Sequence, residues 1–201
     1  MSDACCHVPP PSSDVSYRRV LWIALFANAA MFFVELVAAW WSGSSALAAD
    51  AADFLGDSAN YALSLGAIAA GGVWVSRVAL LKGLAMSVYG VAVLAYAAWR
   101  TWLGVPPEPF TMGAVGTLAL AVNFGVAALL YRFREGDANM RSVWLCTRND
   151  VIANLLVLVA AAGVFGTGTV WPDVAVAAVL AVLGLSSGAT VIRHARSELS
   201  A

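Results

Sequence analysis

Six long apolar runs dominate the sequence, and short polar or turn-forming stretches separate them. The runs cover residues 20–41, 45–70, 79–103, 110–133, 143–167 and 171–193. A helix needs about 20 mostly apolar residues to cross the hydrocarbon core of a bilayer, and every run reaches that length. The pattern therefore predicts an all-α integral membrane protein with six transmembrane helices.

The stretches between the runs contain residues that end helices. Gly, Ser and Thr occupy residues 42–45 (SGSS) and 166–169 (GTGT), and prolines interrupt the chain at 105–109 (VPPEP). We therefore expect an N-terminal tail over residues 1–17, a six-helix transmembrane domain over residues 18–196 and a short tail over residues 197–201. No soluble domain of useful size remains, so any function must lie among the helices.

Composition supports this class and excludes others. The chain is 61% hydrophobic and only 11% charged, whereas about 25% of the residues in a soluble domain are charged. The formal net charge is -1, and no basic surface is large enough to bind nucleic acid.

Basic residues predict the orientation of the helices, because Lys and Arg near the ends of spans stay in the cytoplasm. Arg100 falls at the opposite end from most of them, and Arg148 lies inside the fifth run. The others fall at connections or termini that share one side: Arg18, Arg19, Arg77, Lys82, Arg132, Arg134, Arg141, Arg193 and Arg196. The distribution predicts that both termini are cytoplasmic.

Ionisable side chains inside the apolar runs are the first indication of chemistry, because each is costly in a bilayer unless it is paired, hydrated or bound to an ion. The stretch DAADFLGD, residues 50–57, places Asp50, Asp53 and Asp57 at i, i+3 and i+7. On a helix all three side chains therefore lie on one face. The remaining ionisable residues of the runs are Glu35, Arg148, Asp150 and Asp173.

Position within the runs separates two interpretations of these residues. Asp50, Arg148 and Asp173 lie near predicted helix ends, where a side chain can reach water. Asp57 cannot be explained in this way, because its apolar run continues on both sides of it. At about 1.5 Å per residue, both ends of the helix are far from this side chain. We therefore expect Asp57 to lie deep in the bilayer.

The fifth run carries a matching pair of residues. Cys146 and Asp150 are four residues apart, as are Asp53 and Asp57, so each helix presents two metal-binding groups one turn apart. Two such pairs facing each other make a four-ligand site of the kind that Zn²⁺ prefers. The alternative for Cys146 is that it is a small buried apolar residue.

These motifs resemble those of the cation diffusion facilitators, a family that exports divalent metals. The resemblance is carried by Asn28 and Glu35, SGSSALAADAADFLGD at 42–57, NMRSVWLCTRNDVIAN at 139–154 and WPD at 171–173, and it follows all six runs in order. It implies that the metal ligands are Asp53, Asp57, Cys146 and Asp150. It further implies that four residues support these ligands or form a path for protons and metal: Asp50, Glu35, Asn28 and Asn154.

The sequence departs from the family pattern in three respects. Members commonly have a cytoplasmic C-terminal domain, whereas this sequence ends at Ala201, so we expect a short form without that domain. The loop between the fourth and fifth runs contains no histidine. Cys146 stands where a histidine is more usual, which leaves the identity of the metal open.

Charge suggests a mechanism. Three carboxylates and a thiolate leave excess negative charge around a divalent cation, which a low-dielectric site does not tolerate without compensation. We therefore expect the empty site to hold protons that an incoming metal displaces. The result is efflux of Zn/Cd/Co-class cations, Zn²⁺ foremost, by proton antiport with alternating access, without a prosthetic group or an enzymatic reaction.

Further expectations concern location, tail and assembly. The location is the inner membrane of a bacterial-type cell, where the lipid bilayer, metal and protons are the partners. Cys5, Cys6 and His7 could collect metal, because thiolate and imidazole suit Zn²⁺. The resemblance implies a homodimer, for which the small residues Gly83, Ser87 and Gly90 offer a close-packing face on the third run.

Two alternatives belong to other classes. Membrane enzymes of the CDP-alcohol phosphatidyltransferase type also hold Mg²⁺ with clustered aspartates, and DAAD at 50–53 matches their pattern in part. A structural membrane protein could instead pair its aspartates internally. Metal resistance of cells that express the protein would distinguish a transporter from both.

Overall fold

The computed structural model describes residues 15–70, 72–135 and 138–200. Within those ranges the chain forms six helices and no strand, as predicted. They are α1 (Val15–Ser42), α2 (Ser45–Ala70), α3 (Gly72–Leu103), α4 (Pro109–Tyr131), α5 (Ala138–Thr167) and α6 (Trp171–Ser200). The predicted tail motif Cys5, Cys6 and His7 lies outside the described residues.

Length and composition let five of these helices cross a membrane, and α2 is the exception. α2 has 26 residues, which is about 39 Å of helix and long enough to span a bilayer. It differs from the others because it carries Asp50, Asp53 and Asp57. The protein is therefore an all-α, multi-pass integral membrane protein whose most acidic helix is enclosed by the others.

The helices form two groups. α1, α2, α5 and α4 contact one another in that order, and α4 returns to α1, so these four close a ring. α3 and α6 form a closely packed pair that leans on α2, while α6 also contacts α5. The groups therefore meet along α2 and α5, the helices that carry the predicted ligands.

Small residues allow the close approach of α3 and α6. A side chain at Gly83 would collide with Ile192 and with the backbone of Gly188, and one at Gly188 would collide with Ser87. A side chain at Gly90 would collide with Leu185. The prediction that Gly83, Ser87 and Gly90 form a dimer face is therefore wrong, because they pack against α6 of the same chain.

Asp173 ties the start of α6 to the start of α2. Its carboxylate accepts hydrogen bonds from the Ser44 hydroxyl at 2.6 Å, the Ser45 N–H at 2.7 Å and the Ala46 N–H at 3.0 Å. The side chain is fully buried, so the interpretation that Asp173 reaches water from a helix end is wrong. A carboxylate here satisfies N–H groups that have no partner within the helix and complements the helix dipole.

Replacing Asp173 with asparagine should destabilise the protein by about 2–3 kcal/mol, because one buried donor loses its acceptor and the remaining hydrogen bonds lose their charge. The check is the thermal unfolding temperature in detergent. Glu108→Gln is the matched control, since Glu108 caps α4 through the N–H groups of Phe110 and Thr111 at an exposed position. Equal losses in the two variants would contradict the role of Asp173.

Candidate metal site

A cavity lies where α2 and α5 of the ring meet α3 and α6. Its volume is about 50 Å³, enough for a few water molecules or an ion with part of its hydration shell. All four predicted ligands line it. The full lining is Asp53, Gly56, Asp57, Asn60, Lys82, Met86, Cys146, Asn149, Asp150, Ser187 and Val191. We call this space the metal cavity.

The helical repeat explains how two distant sequence motifs reach one cavity. Asp53 and Asp57 lie one turn apart on α2, and Cys146 and Asp150 lie one turn apart on α5, which packs against α2. Gly56 lies between the two predicted ligands of α2, where a side chain would press on the end of Met86 from α3. Glycine here therefore lets α3 close one wall of the cavity.

Asp57 and Asp150 line the cavity from α2 and α5, and their carboxyl groups are close enough to interact electrostatically. The Tyr61 hydroxyl donates to Asp57 Oδ2 at 3.3 Å and lies 2.7 Å from the Thr147 hydroxyl on α5. Two carboxylates this close repel each other unless a cation or a shared proton lies between them. The geometry therefore requires positive charge at this point.

The predicted ligands do not form a closed cage in this conformation. In the part of the chain that the structure describes, no three His, Cys, Asp or Glu side chains come close enough together to hold a metal ion. Asp53 and Asp150 are partly exposed, whereas Asp57 is buried. The four-ligand set therefore stays a prediction, and the structure supplies the shared cavity that it needs.

Cys146 is buried at the cavity wall. Its sulfur can bind metal only in the reduced state. A disulfide sulfur lacks the negative charge of the thiolate that binds metal. The predicted ligand role of Cys146 therefore applies to the reduced thiol.

A second set of polar side chains lies inside the four-helix ring, one from each helix. Asn123 of α4 donates to Asn154 Oδ1 of α5 at 2.9 Å, and Asn154 donates to Asp50 Oδ2 of α2 at 2.7 Å. Glu35 of α1 faces Asp50. We call these four residues the polar cluster, and all of them are buried.

Three of the four residues predicted to support the ligands lie in the polar cluster, and the fourth does not. Glu35, Asp50 and Asn154 come together in it, so the interpretation that Asp50 reaches water from a helix end is wrong. Asn28 instead donates to the Ala24 carbonyl of its own helix at 2.8 Å. Arg148 does reach the outside of the bundle, where it lies 5.5 Å from the Trp144 ring centre.

Sequence reasoning missed several polar residues of these sites, among them Lys82, Asn60 and Asn123. Lys82 was assigned to a cytoplasmic connection, but it lies well inside α3, which begins at Gly72, and it lines the metal cavity. Asn60 lines the cavity beside it, and Asn123 completes the polar cluster. Asn60 lies one helical turn beyond Asp57, a spacing that could have indicated its position.

The fold and the cavity define a class: a multi-pass membrane protein with an acidic cavity between its helices. Comparison with known families agrees. The chain matches the cation efflux transmembrane domain over residues 21–73 and 75–200. It therefore belongs to this family, and the resemblance to the cation diffusion facilitators is confirmed.

The names of two relatives describe metal transport. The chain is 25% identical over 189 residues to a cadmium, cobalt and zinc/H⁺-K⁺ antiporter of Bacillus velezensis, which covers 86% of this chain and 60% of the relative. It is 26% identical over 177 residues to the metal cation efflux system protein CzcD of Cupriavidus metallidurans, which covers 81% of this chain and 55% of the relative. The chain thus spans between half and two thirds of the length of these relatives.

Proposed function

We propose that this protein exports divalent transition-metal cations of the Zn/Cd/Co class from the cytoplasm in exchange for protons. One observation carries the proposal: Asp53, Asp57, Cys146 and Asp150, from two helices, line one cavity within the membrane-spanning bundle. Family membership and the names of both relatives support the same activity.

The donor set suits a transition metal. Carboxylate oxygens bind many divalent cations, whereas a thiolate favours softer ions such as Zn²⁺ and Cd²⁺ over Mg²⁺. We therefore propose Zn²⁺ as the principal substrate. The Mg²⁺ enzyme considered from the sequence has less support, because Asp50 bonds to Asn154 in the polar cluster and DAAD does not act as one ligand set.

Proton exchange follows from the pairing of Asp57 with Asp150. A shared proton can hold the two carboxyl groups together in the empty site, and a metal ion can take over the same charge. Each ion that enters would therefore release protons, and protons entering from the opposite side would release the metal. This is an antiport in which inward proton flow drives metal out.

The two helix groups supply a route to alternating access. The metal cavity lies at their junction, so a tilt of the α3 and α6 pair against the ring would change which side of the membrane reaches it. The polar cluster lies within the ring and would keep that group rigid during the motion. We place the protein in a bacterial inner membrane with both termini cytoplasmic.

We also propose a homodimer, as family membership suggests. Since Gly83, Ser87 and Gly90 pack inside the chain, the dimer must use other surfaces. Cross-linking in native membranes tests this assembly, and a transport-active monomer in lipid would contradict it.

Purified protein in liposomes tests the main proposal. With an imposed pH gradient, acidic on the side to which metal is expelled, we expect Zn²⁺ flux that stops when the gradient is collapsed. Proton movement in the opposite direction should accompany the flux, reported by an internal pH dye. Protein-free liposomes are the control, and zinc flux no faster than theirs would overturn the proposal.

A further inference from the structure

Lys82 is the one cationic side chain among the residues that line the metal cavity in the described part of the chain. It is only 9% exposed, and a lysine is rarely this buried unless its charge is compensated. Its Nζ donates a hydrogen bond to Asn60 Oδ1, and its charge acts on Asp57. The ammonium group therefore belongs to the electrostatics of the site.

Packing on either side holds Lys82 in place. The next residue, Gly83, sits against Gly188 and Ile192 of α6 with no room for a side chain. This contact fixes the rotation of α3, so that Lys82 points toward α2 and α5. Asn60 of α2 then receives the end of the side chain, one turn beyond Asp57.

The charges around the metal cavity indicate what Lys82 does there. Asp53, Asp57 and Asp150 bring three carboxylates to a cavity of about 50 Å³, and a divalent cation neutralises only part of their charge. When no metal is present, the fixed ammonium group offsets one of the three negative charges. When a metal enters, the ammonium and the metal repel each other strongly at this distance.

We propose that Lys82 is a tethered counter-cation of the metal site. Its positive charge compensates the carboxylates while the site is empty, and the incoming metal takes over that compensation. The inference rests on the proposed metal transport and adds a residue that sets affinity and release. A tethered cation weakens metal binding, speeds release of the ion and allows the empty carrier to return. It therefore converts a tight binding site into a transport site.

Lys82→Met tests this role, because methionine keeps much of the side-chain volume and removes the charge. We expect the dissociation constant for Zn²⁺, measured by calorimetry at fixed pH with a reductant present, to fall by about ten-fold or more. The maximal transport rate in liposomes should fall together with the KM, because release becomes slow. Lys82→Arg, which keeps the charge, should stay close to the unsubstituted protein in affinity.

Asn60→Leu provides a second variant that leaves Lys82 in the chain. Removing the acceptor loosens the ammonium group from the site, so zinc should again bind more tightly, though by less than in Lys82→Met. In the double variant the two effects should not add, because both act through one charge. A packing role for Lys82 would instead lower the yield of folded protein and weaken metal binding.

The outcomes separate this inference from the proposed function. Unchanged or weaker zinc binding in both Lys82→Met and Asn60→Leu, with an active unsubstituted protein, would overturn the role of Lys82 alone. Absence of zinc binding and transport in the unsubstituted protein would overturn the proposed function, and the inference with it. Tighter binding with slower turnover in Lys82→Met and near-normal values in Lys82→Arg would support the inference.

Discussion

Asp57→Asn and Asp150→Asn should each abolish metal transport while the protein still reaches the membrane in normal amounts. Each substitution keeps the size of the side chain and removes the charge of a proposed ligand. Even residues that only support ligands cost about 10- to 100-fold in metal affinity when they are replaced. Loss of a ligand should therefore reduce transport by more than about 100-fold.

Folding should survive these changes. The carboxyl groups of Asp57 and Asp150 are close enough to interact electrostatically, and an amide beside a carboxyl group can donate the hydrogen bond that otherwise needs a proton or cation. Removing a charge from the membrane interior also lowers the cost of insertion. The thermal unfolding temperature should therefore be unchanged or slightly higher.

The measurement is zinc flux into liposomes with a pH gradient, corrected for the amount of protein incorporated. Glu135→Gln is the matched control, because Glu135 is an exposed carboxylate outside the helices that pairs with its neighbour Arg134. The control should transport normally. Near-normal flux in Asp57→Asn or Asp150→Asn would exclude the proposed ligand set.

Substitutions of Cys146 should change the order in which metals are transported. Thiolate is a softer donor than carboxylate or imidazole, so it favours Cd²⁺ and Zn²⁺ over Mn²⁺ and Mg²⁺. Cys146→Ala should reduce Cd²⁺ transport most. Cys146→His should keep Zn²⁺ and weaken Cd²⁺, whereas Cys146→Asp should shift transport toward Mn²⁺ and Fe²⁺.

The comparison needs a defined redox state, because Cys146 can supply a thiolate to the metal only when its sulfur is reduced. Flux of each metal is measured with and without a reductant for all variants. We expect the reductant to increase Cd²⁺ flux in the unsubstituted protein and to leave Cys146→Ala unaffected. An unchanged metal order in Cys146→Ala under reducing conditions would show that Cys146 is a packed small residue and that the aspartates alone select the metal.

The helices themselves were predictable because the bilayer imposes a simple rule on the sequence. A span needs about 20 apolar residues whatever its neighbours are, so each run became a helix with similar limits. The largest differences are that α3 begins at Gly72 rather than at residue 79 and that α6 continues to Ser200 rather than ending at residue 193. The basic residue Arg77 interrupts the apolar pattern before the third run, although α3 continues through it.

The position of a polar side chain was predictable only where it depends on the geometry of its own helix. The spacing of Asp53 with Asp57, and of Cys146 with Asp150, places each pair on one helix face, and both pairs line the metal cavity. Asp50 shares the stretch with the proposed ligands of α2, yet it accepts a hydrogen bond from Asn154 inside the ring. Whether a neighbouring residue lines the cavity depends on how α2 packs against α1 and α5. The spacing of residues along one helix gives no information about that packing.

By itself, therefore, the sequence determined the class of protein, the number of helices and the two helix faces that line the cavity, because hydropathy and helical periodicity are local properties. Only the tertiary structure decided that Lys82 enters the metal cavity, that Gly83 packs against α6 and that Asp173 caps α2. Each of these depends on which helices are neighbours and how each is rotated about its axis. Close packing between small residues sets that rotation, and it joins positions far apart in the chain.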